Sequence, residues 1–97
     1  MPIHSALETV AEPSSDEEIV ARVRGGDTPL FEVLMRRNNQ RLYRAVRAVL
    51  RDEAEVEDVM QQTYVAAFTH LDQFAAAAKF STWLLRIGVN ERQLLIR

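Results

Sequence analysis

Hydrophobic positions return every three to four residues in four stretches of the chain, and each stretch is bounded by residues that start or stop helices. Ser15-Asp16-Glu17-Glu18 has the composition of a capping box, in which the Ser15 hydroxyl accepts from the Glu18 amide and the Glu18 carboxylate reaches back. Ile19, Val20 and Val23 then form a short apolar face, and Gly25-Gly26 ends the helix. Asp27 is placed to cap a second helix, with Thr28 and Pro29 in its first turn, where a missing N–H costs nothing. Leu30, Phe31, Leu34, Leu42, Tyr43, Ala45, Val46, Val49 and Leu50 share one face of that helix, and Asn38-Asn39 mark a bend or weak point.

Asp52 with Glu55 repeats the capping-box pattern, and a third helix is expected to run to about His70. Its stripe is Val56, Val59, Met60, Thr63, Ala67 and Leu71, with Tyr64 and Phe68 beside it. Residues 72–80 lose the period, although Ala75-Ala76-Ala77-Ala78 has strong helix propensity. Ser81 is expected to cap a fourth helix carrying Trp83, Leu84, Ile87, Leu94 and Leu95. No stretch alternates with a period of two. The pattern predicts an all-α fold, a compact bundle of about four helices over residues 15–97. Residues 1–14, with Pro2 and Pro13 and no sustained period, read as a mobile acidic tail.

Composition narrows the picture. Ninety-seven residues make one small domain. Without cysteine there is no disulfide framework, thiolate metal site or thiol nucleophile, and His4 and His70 alone make no His-rich metal site. No apolar run approaches the roughly 20 residues needed to span a bilayer. The N-terminus lacks the basic-then-apolar order of a secretory signal. These features suit a soluble cytoplasmic domain without membrane insertion, cofactor or metal. The net charge of -2 conceals an asymmetry: residues 1–18 hold five acids and no base, so the remainder carries +3, and eleven of the twelve bases are Arg.

Nothing in the sequence pairs a nucleophile with a base at a suggestive spacing, and there is no glycine-rich phosphate loop, so an enzyme is not expected. His70 reads as a capping or surface residue. Six Arg and no acid lie between residues 36 and 51, whereas residues 52–58 hold five acids. Both blocks suit the helix macrodipole at about 0.3–1 kcal/mol per charge. Six planar forks nevertheless exceed what capping needs, and Arg engages carboxylates and phosphates bidentately. The segment Lys79-Phe80-Ser81-Thr82-Trp83-Leu84-Leu85-Arg86-Ile87 places aromatics, hydroxyls and cations at a loop-to-helix junction, which is the equipment for capturing an unstacked base. The plainer reading, that Phe80 and Trp83 are core anchors, stands beside it.

Five segments together carry a family resemblance. They are Asp27-Thr28-Pro29-Leu30-Phe31, Arg41-Leu42-Tyr43-Arg44, Glu57-Asp58-Val59-Met60-Gln61-Gln62-Thr63-Tyr64, Phe80-Ser81-Thr82-Trp83-Leu84-Leu85-Arg86-Ile87, and Asn90. In order and spacing they resemble region 2 of bacterial extracytoplasmic-function (ECF, group IV) RNA polymerase sigma factors, across about residues 16–97. The resemblance implies a helical domain that binds the clamp helices of the largest subunit of RNA polymerase core and recognises the promoter -10 element. Position by position, it implies polymerase contacts at Asp58, Gln61 and Gln62, with Arg41 and Arg44 nearby. For the single-stranded non-template -10 strand it implies the loop from Asp72 through Gln73 and Phe74 to Lys79. It further implies the junction of Phe80, Ser81, Thr82 and Trp83, with Arg86 and Asn90 one turn apart on the last helix.

The chain also departs from the family pattern. Gln62 stands where relatives often carry Glu, which weakens pairing with a basic clamp. Ala75–Ala78 replace Gly, Arg or acidic residues, and four alanines cannot hydrogen-bond a base edge through side chains. The final helix lacks the usual basic run, and the region-4 domain that reads the -35 element is absent, so a truncated protein is expected. An alternative reading is a sigma-like interaction module that binds an anti-sigma factor without touching DNA. A third, a helix-turn-helix with its turn at Gly88, needs a recognition helix after Gly88, and only nine residues follow it.

Overall fold

The computed structural model describes residues 14–75 and 77–96, and for 91–96 the backbone alone. It contains four α-helices: α1 (Asp16–Arg24), α2 (Phe31–Arg47), α3 (Glu53–Thr69) and α4 (Phe80–Ile96). Short 3-10 turns at Thr28–Leu30 and Leu71–Gln73 lie between them. Residues 1–13 of the expected tail and the expected core positions Leu94 and Leu95 lie outside the described residues or side chains. Ser14, at the edge of that tail, accepts through its carbonyl from Arg37 Nη1 at 2.7 Å.

The local signals act as the sequence suggests at both ends of α1. Ser15 Oγ accepts from the Glu18 amide at 3.1 Å, and Glu18 Oε1 accepts from the Ser15 amide at 2.9 Å. At the far end the Asp27 amide donates to Arg22 and the Gly26 amide to Val23. This is the bond pair of a Schellman motif, and Gly26 supplies the φ of 115° that it requires.

Three expectations change. Asp27 does not cap through its side chain, because its carboxylate turns back to Arg22 at 3.6 Å. The chain therefore makes a 3-10 turn before α2 begins at Phe31. Asp52 caps α3 by accepting from the Ala54 amide at 2.8 Å, so the cap forms one residue short of the expected Glu55 partner. Asn38-Asn39 produce no break. Asn38, 2% exposed, donates to Leu34 O at 2.9 Å and to Asp16 Oδ2 at 3.0 Å, so a poor helix former becomes a buried tie between α1 and α2.

α2, α3 and α4 pack against one another, and α1 lies across α2 and the Leu71–Gln73 turn. The core runs from Ile19 and Val20 of α1 through Leu34, Leu42 and Val46 of α2 to Val56, Val59 and Ala67 of α3, and closes with Leu71, Phe74, Phe80 and Leu84. Gly88, considered above as a turn, lies in mid-α4 at the point where that helix meets α2 and α3. No helix among the described residues is long and apolar enough to cross a membrane.

Candidate nucleic-acid interface

After α3 the chain makes the Leu71–Gln73 turn, tucks Phe74 inward and reaches Phe80, where α4 begins. The Phe80 amide, which has no partner within its own helix, donates to Glu17 Oε2 at 2.7 Å. The cap of α4 is thus a carboxylate from α1, where the sequence suggested Ser81. Arg24, at the other end of α1, donates from Nε and Nη2 to Leu71 O at 3.0 and 2.7 Å, and from Nη2 also to Phe74 O.

Phe74, Phe80 and Trp83 form one aromatic cluster. Ring centroids are 5.8 Å apart for Phe74–Phe80, 5.3 Å for Phe74–Trp83 and 5.9 Å for Phe80–Trp83. Phe74 is 3% exposed and Phe80 is fully buried, so neither can stack on a base. Both rings serve the core, which is the plainer of the two readings given above for Phe80. Trp83 is half-buried: it leans on the other two rings and leaves part of its surface open to solvent.

The remaining candidates converge. Lys79, Thr82, Arg86 and Asn90 are all exposed; at about 100° per residue the last three fall within roughly an 80° arc of α4, and Lys79 immediately precedes the helix. They form a strip leading away from the loop mouth, and Ser81 sits half-buried beside it. Asp72 and Gln73 are exposed on the preceding turn, where Gln73 Nε2 approaches His70 Nδ1 at 3.4 Å.

A second surface lies between α2 and α3. A groove of about 610 Å³ runs past Met35, Arg36, Gln40, Tyr43, Glu57, Met60, Gln61 and Tyr64. It meets an apolar groove of about 400 Å³ lined by Phe31, Met35, Gln61, Tyr64, Val65, Phe68 and Thr69. Gln61 lies where the two join. Asp58 and Gln62 are bonded to each other at 3.1 Å one turn apart on α3. Arg41 and Arg44 line neither groove. Among the described residues these two Arg have no acidic partner, whereas Arg36, Arg37 and Arg47 are engaged by Glu32, Asp16 and Glu53. Half of the Arg stripe thus serves the fold.

The apolar groove escaped sequence reading. Phe68 packs edge-on against Phe31 at 5.2 Å yet remains 44% exposed, and Val65 is 66% exposed. Its signal was the width of the α3 stripe, too broad for one buried face. Burial pushes the Tyr64 hydroxyl up to about 12, and that hydroxyl donates to Asn39 Oδ1 at 2.8 Å. Tyr43 is also raised, chiefly by its hydrogen bond to Glu53 at 2.7 Å. Among the described residues no group of His, Cys, Asp or Glu could hold a metal ion.

The family model described as Sigma-70 region 2 matches residues 34–97. The chain belongs to the sigma-70 region 2 family. ECF sigma factors are among its relatives. It is 36% identical over 88 residues to the RNA polymerase sigma factor NccH of Alcaligenes xylosoxydans xylosoxydans, covering 91% of this chain and 47% of that protein. It is 33% identical over 81 residues to the ECF RNA polymerase sigma-E factor of Escherichia coli K12, covering 84% and 42% respectively. This region 2 domain therefore spans less than half the length of these relatives. Among solved structures it resembles an engineered region 2 of sigmaE, determined by NMR in complex with GTAAAA, with a TM-score of 0.79, 34% identity and 86% coverage of each chain. The matched segment begins within α2 and takes in α3, the loop after it and α4, whereas α1, the Thr28–Leu30 turn and the first residues of α2 precede it.

Proposed function

We propose that this domain acts in transcription initiation as the part of an ECF sigma factor that docks on RNA polymerase core and holds the melted non-template strand of the promoter -10 element. The observation that carries the reading is the exposed strip of Lys79, Thr82, Arg86 and Asn90 beside a half-buried Trp83. The strip lies in a fold shared with a domain 34% identical that is found in complex with GTAAAA. Lys79 and Arg86 supply cations for phosphates, Thr82 and Asn90 supply polar groups for base edges, and Trp83 supplies a ring face at the loop mouth. Strand capture needs no bond chemistry. Stacking worth about 1–3 kcal/mol per base, together with phosphate contacts, offsets unpairing costs of a few kcal/mol.

The polymerase clamp helices are assigned to the outer face of α3, through the Asp58–Gln62 pair and Gln61. Arg41 and Arg44 offer a separate cationic edge on α2 for the same partner. The exposed apolar groove around Phe31, Val65 and Phe68 favours a second reading, in which the domain is a sigma-like module held by an anti-sigma factor. A labelled single-stranded oligonucleotide carrying GTAAAA separates the two. Under the first reading it binds with an affinity that falls linearly in log salt, and its duplex binds more weakly. Under the second it shows no salt-dependent binding while capture of an anti-sigma factor survives.

A further inference from the structure

We propose that Glu17 and Arg24 are positioning residues for strand recognition, holding from the two ends of α1 the two ends of the segment between Leu71 and Phe80. The proposal rests on the reading of that segment as strand-facing.

Three observations support it. The first is geometric: Glu17 takes the Phe80 amide at 2.7 Å, and Arg24 holds the carbonyls of both Leu71 and Phe74 with one guanidinium. Each partner is a main-chain group at the loop's edge, so the bonds set the path of the backbone itself. The second is that α1 is a fixed base. Asp16 accepts from buried Asn38 at 3.0 Å and pairs with Arg37 at 3.1 Å, while Ile19, Val20 and Val23 are buried in the core. The third is the chemistry of the loop. Ala75, Ala77 and Ala78 carry no polar side-chain atoms, so whatever these residues contribute to a base edge comes from main-chain groups. Within the loop the Ala78 amide donates to Ala75 O at 2.9 Å, a turn whose placement depends on the two held ends.

Charge and positioning make opposite predictions for Glu17. Glu17→Ala removes a negative charge from beside the strip, so electrostatics alone would strengthen the binding of a polyanion. Loss of the brace weakens it. The test measures the anisotropy of a single-stranded GTAAAA oligonucleotide with the full 97-residue chain at fixed salt, with capture of polymerase core and thermal melting in parallel. Glu17→Ala is expected to bind about tenfold more weakly, the scale of one lost charge-assisted hydrogen bond. Glu17→Gln, which keeps the acceptor, is expected to bind like the parent. Arg24→Lys keeps the charge but cannot fork across two carbonyls, so it is expected to weaken binding as Arg24→Ala does. Polymerase capture should be unchanged in all four. Parent-like or tighter binding by Glu17→Ala overturns the brace. If Glu17→Ala does not fold, Arg24→Lys decides, and parent-like binding by that variant overturns the brace. A parent chain that does not bind the oligonucleotide overturns the strand reading, and the brace with it.

Discussion

A Cβ added to Gly88 would stand 3.0 Å from Leu42 Cδ1. α4 and α2 meet so closely there that a side chain would need its neighbours to give by a few tenths of an ångström, and Thr63 Oγ1 is 3.4 Å from the same Cβ position. Neither neighbour yields easily. Leu42 is fully buried, and the Thr63 hydroxyl donates to Val59 O at 2.6 Å. Alanine would gain about 1 kcal/mol of helix propensity, whereas overpacking costs about 1–3 kcal/mol. Gly88→Ala is therefore expected to lower stability by about 1 kcal/mol, and Gly88→Val by more, in urea denaturation. A stabilised Gly88→Ala variant would show that the contact relaxes freely.

Tyr64 makes stability depend on alkaline pH. Its hydroxyl is raised to about 12 in the folded chain against about 10 unfolded, so between those values the folded state holds a proton that the unfolded state has released. The contribution is fully present below pH 10 and is lost as pH rises towards 12. After allowance for solvent screening it amounts to about 1–2 kcal/mol. Urea midpoints at pH 8 and 11 should fall less in Tyr64→Phe than in the parent. Equal slopes in the two proteins would remove Tyr64 as the source.

Phe80 and Arg86 lie on the same helix and should separate folding from binding. Phe80→Ala empties a fully buried site and is expected to cost about 3–5 kcal/mol in thermal or urea unfolding. Arg86→Ala, on the exposed strip, should leave stability within about 0.5 kcal/mol. It should also weaken oligonucleotide binding and reduce the salt slope by about 0.7, the value for one phosphate contact on a single strand. An unchanged slope would take Arg86 off the strand.

Asp58→Arg tests the polymerase face. Asp58 is exposed and bonds only to Gln62 among the described residues, so its replacement should change stability by less than about 1 kcal/mol. Loss of polymerase-core capture with an unchanged melting temperature is the expected result. Capture at parent strength would remove Asp58 from the docking surface.

The helices and most of their ends were legible in the chain because the rules that set them act within one or two turns. The Ser15–Glu18 box, the Gly25-Gly26 stop and the Asp52 cap each involve residues close in sequence, and the period of three to four placed Leu34, Leu42, Val56 and Leu84 in the core. The Arg86–Asn90 pair was legible for the same reason, since the two are joined by helical spacing alone, whereas the exposed strip that Lys79 and Thr82 make with them was not. Aromatic residues at the junction were ambiguous because burial and base stacking call for the same side chains. Only packing showed Phe74 and Phe80 inside and Trp83 at the edge.

Asp16, Glu17 and Glu18 illustrate where local reading stops. All three suit the first turn of a helix, and the opening charge asymmetry marks them only as an acidic head. Glu18 does close the local box, but Asp16 ties α1 to Asn38, and Glu17 caps a helix 63 residues away. Arg24, a suitable base for a helix C-terminus, holds carbonyls 47 and 50 residues away. Sequence spacing encodes which residues share a helix face, because the backbone repeats at a constant angle. It carries no comparable period for contacts across the bundle, which exist only once the buried faces of α1 to α4 have found one another and brought the ends of α1 against the loop.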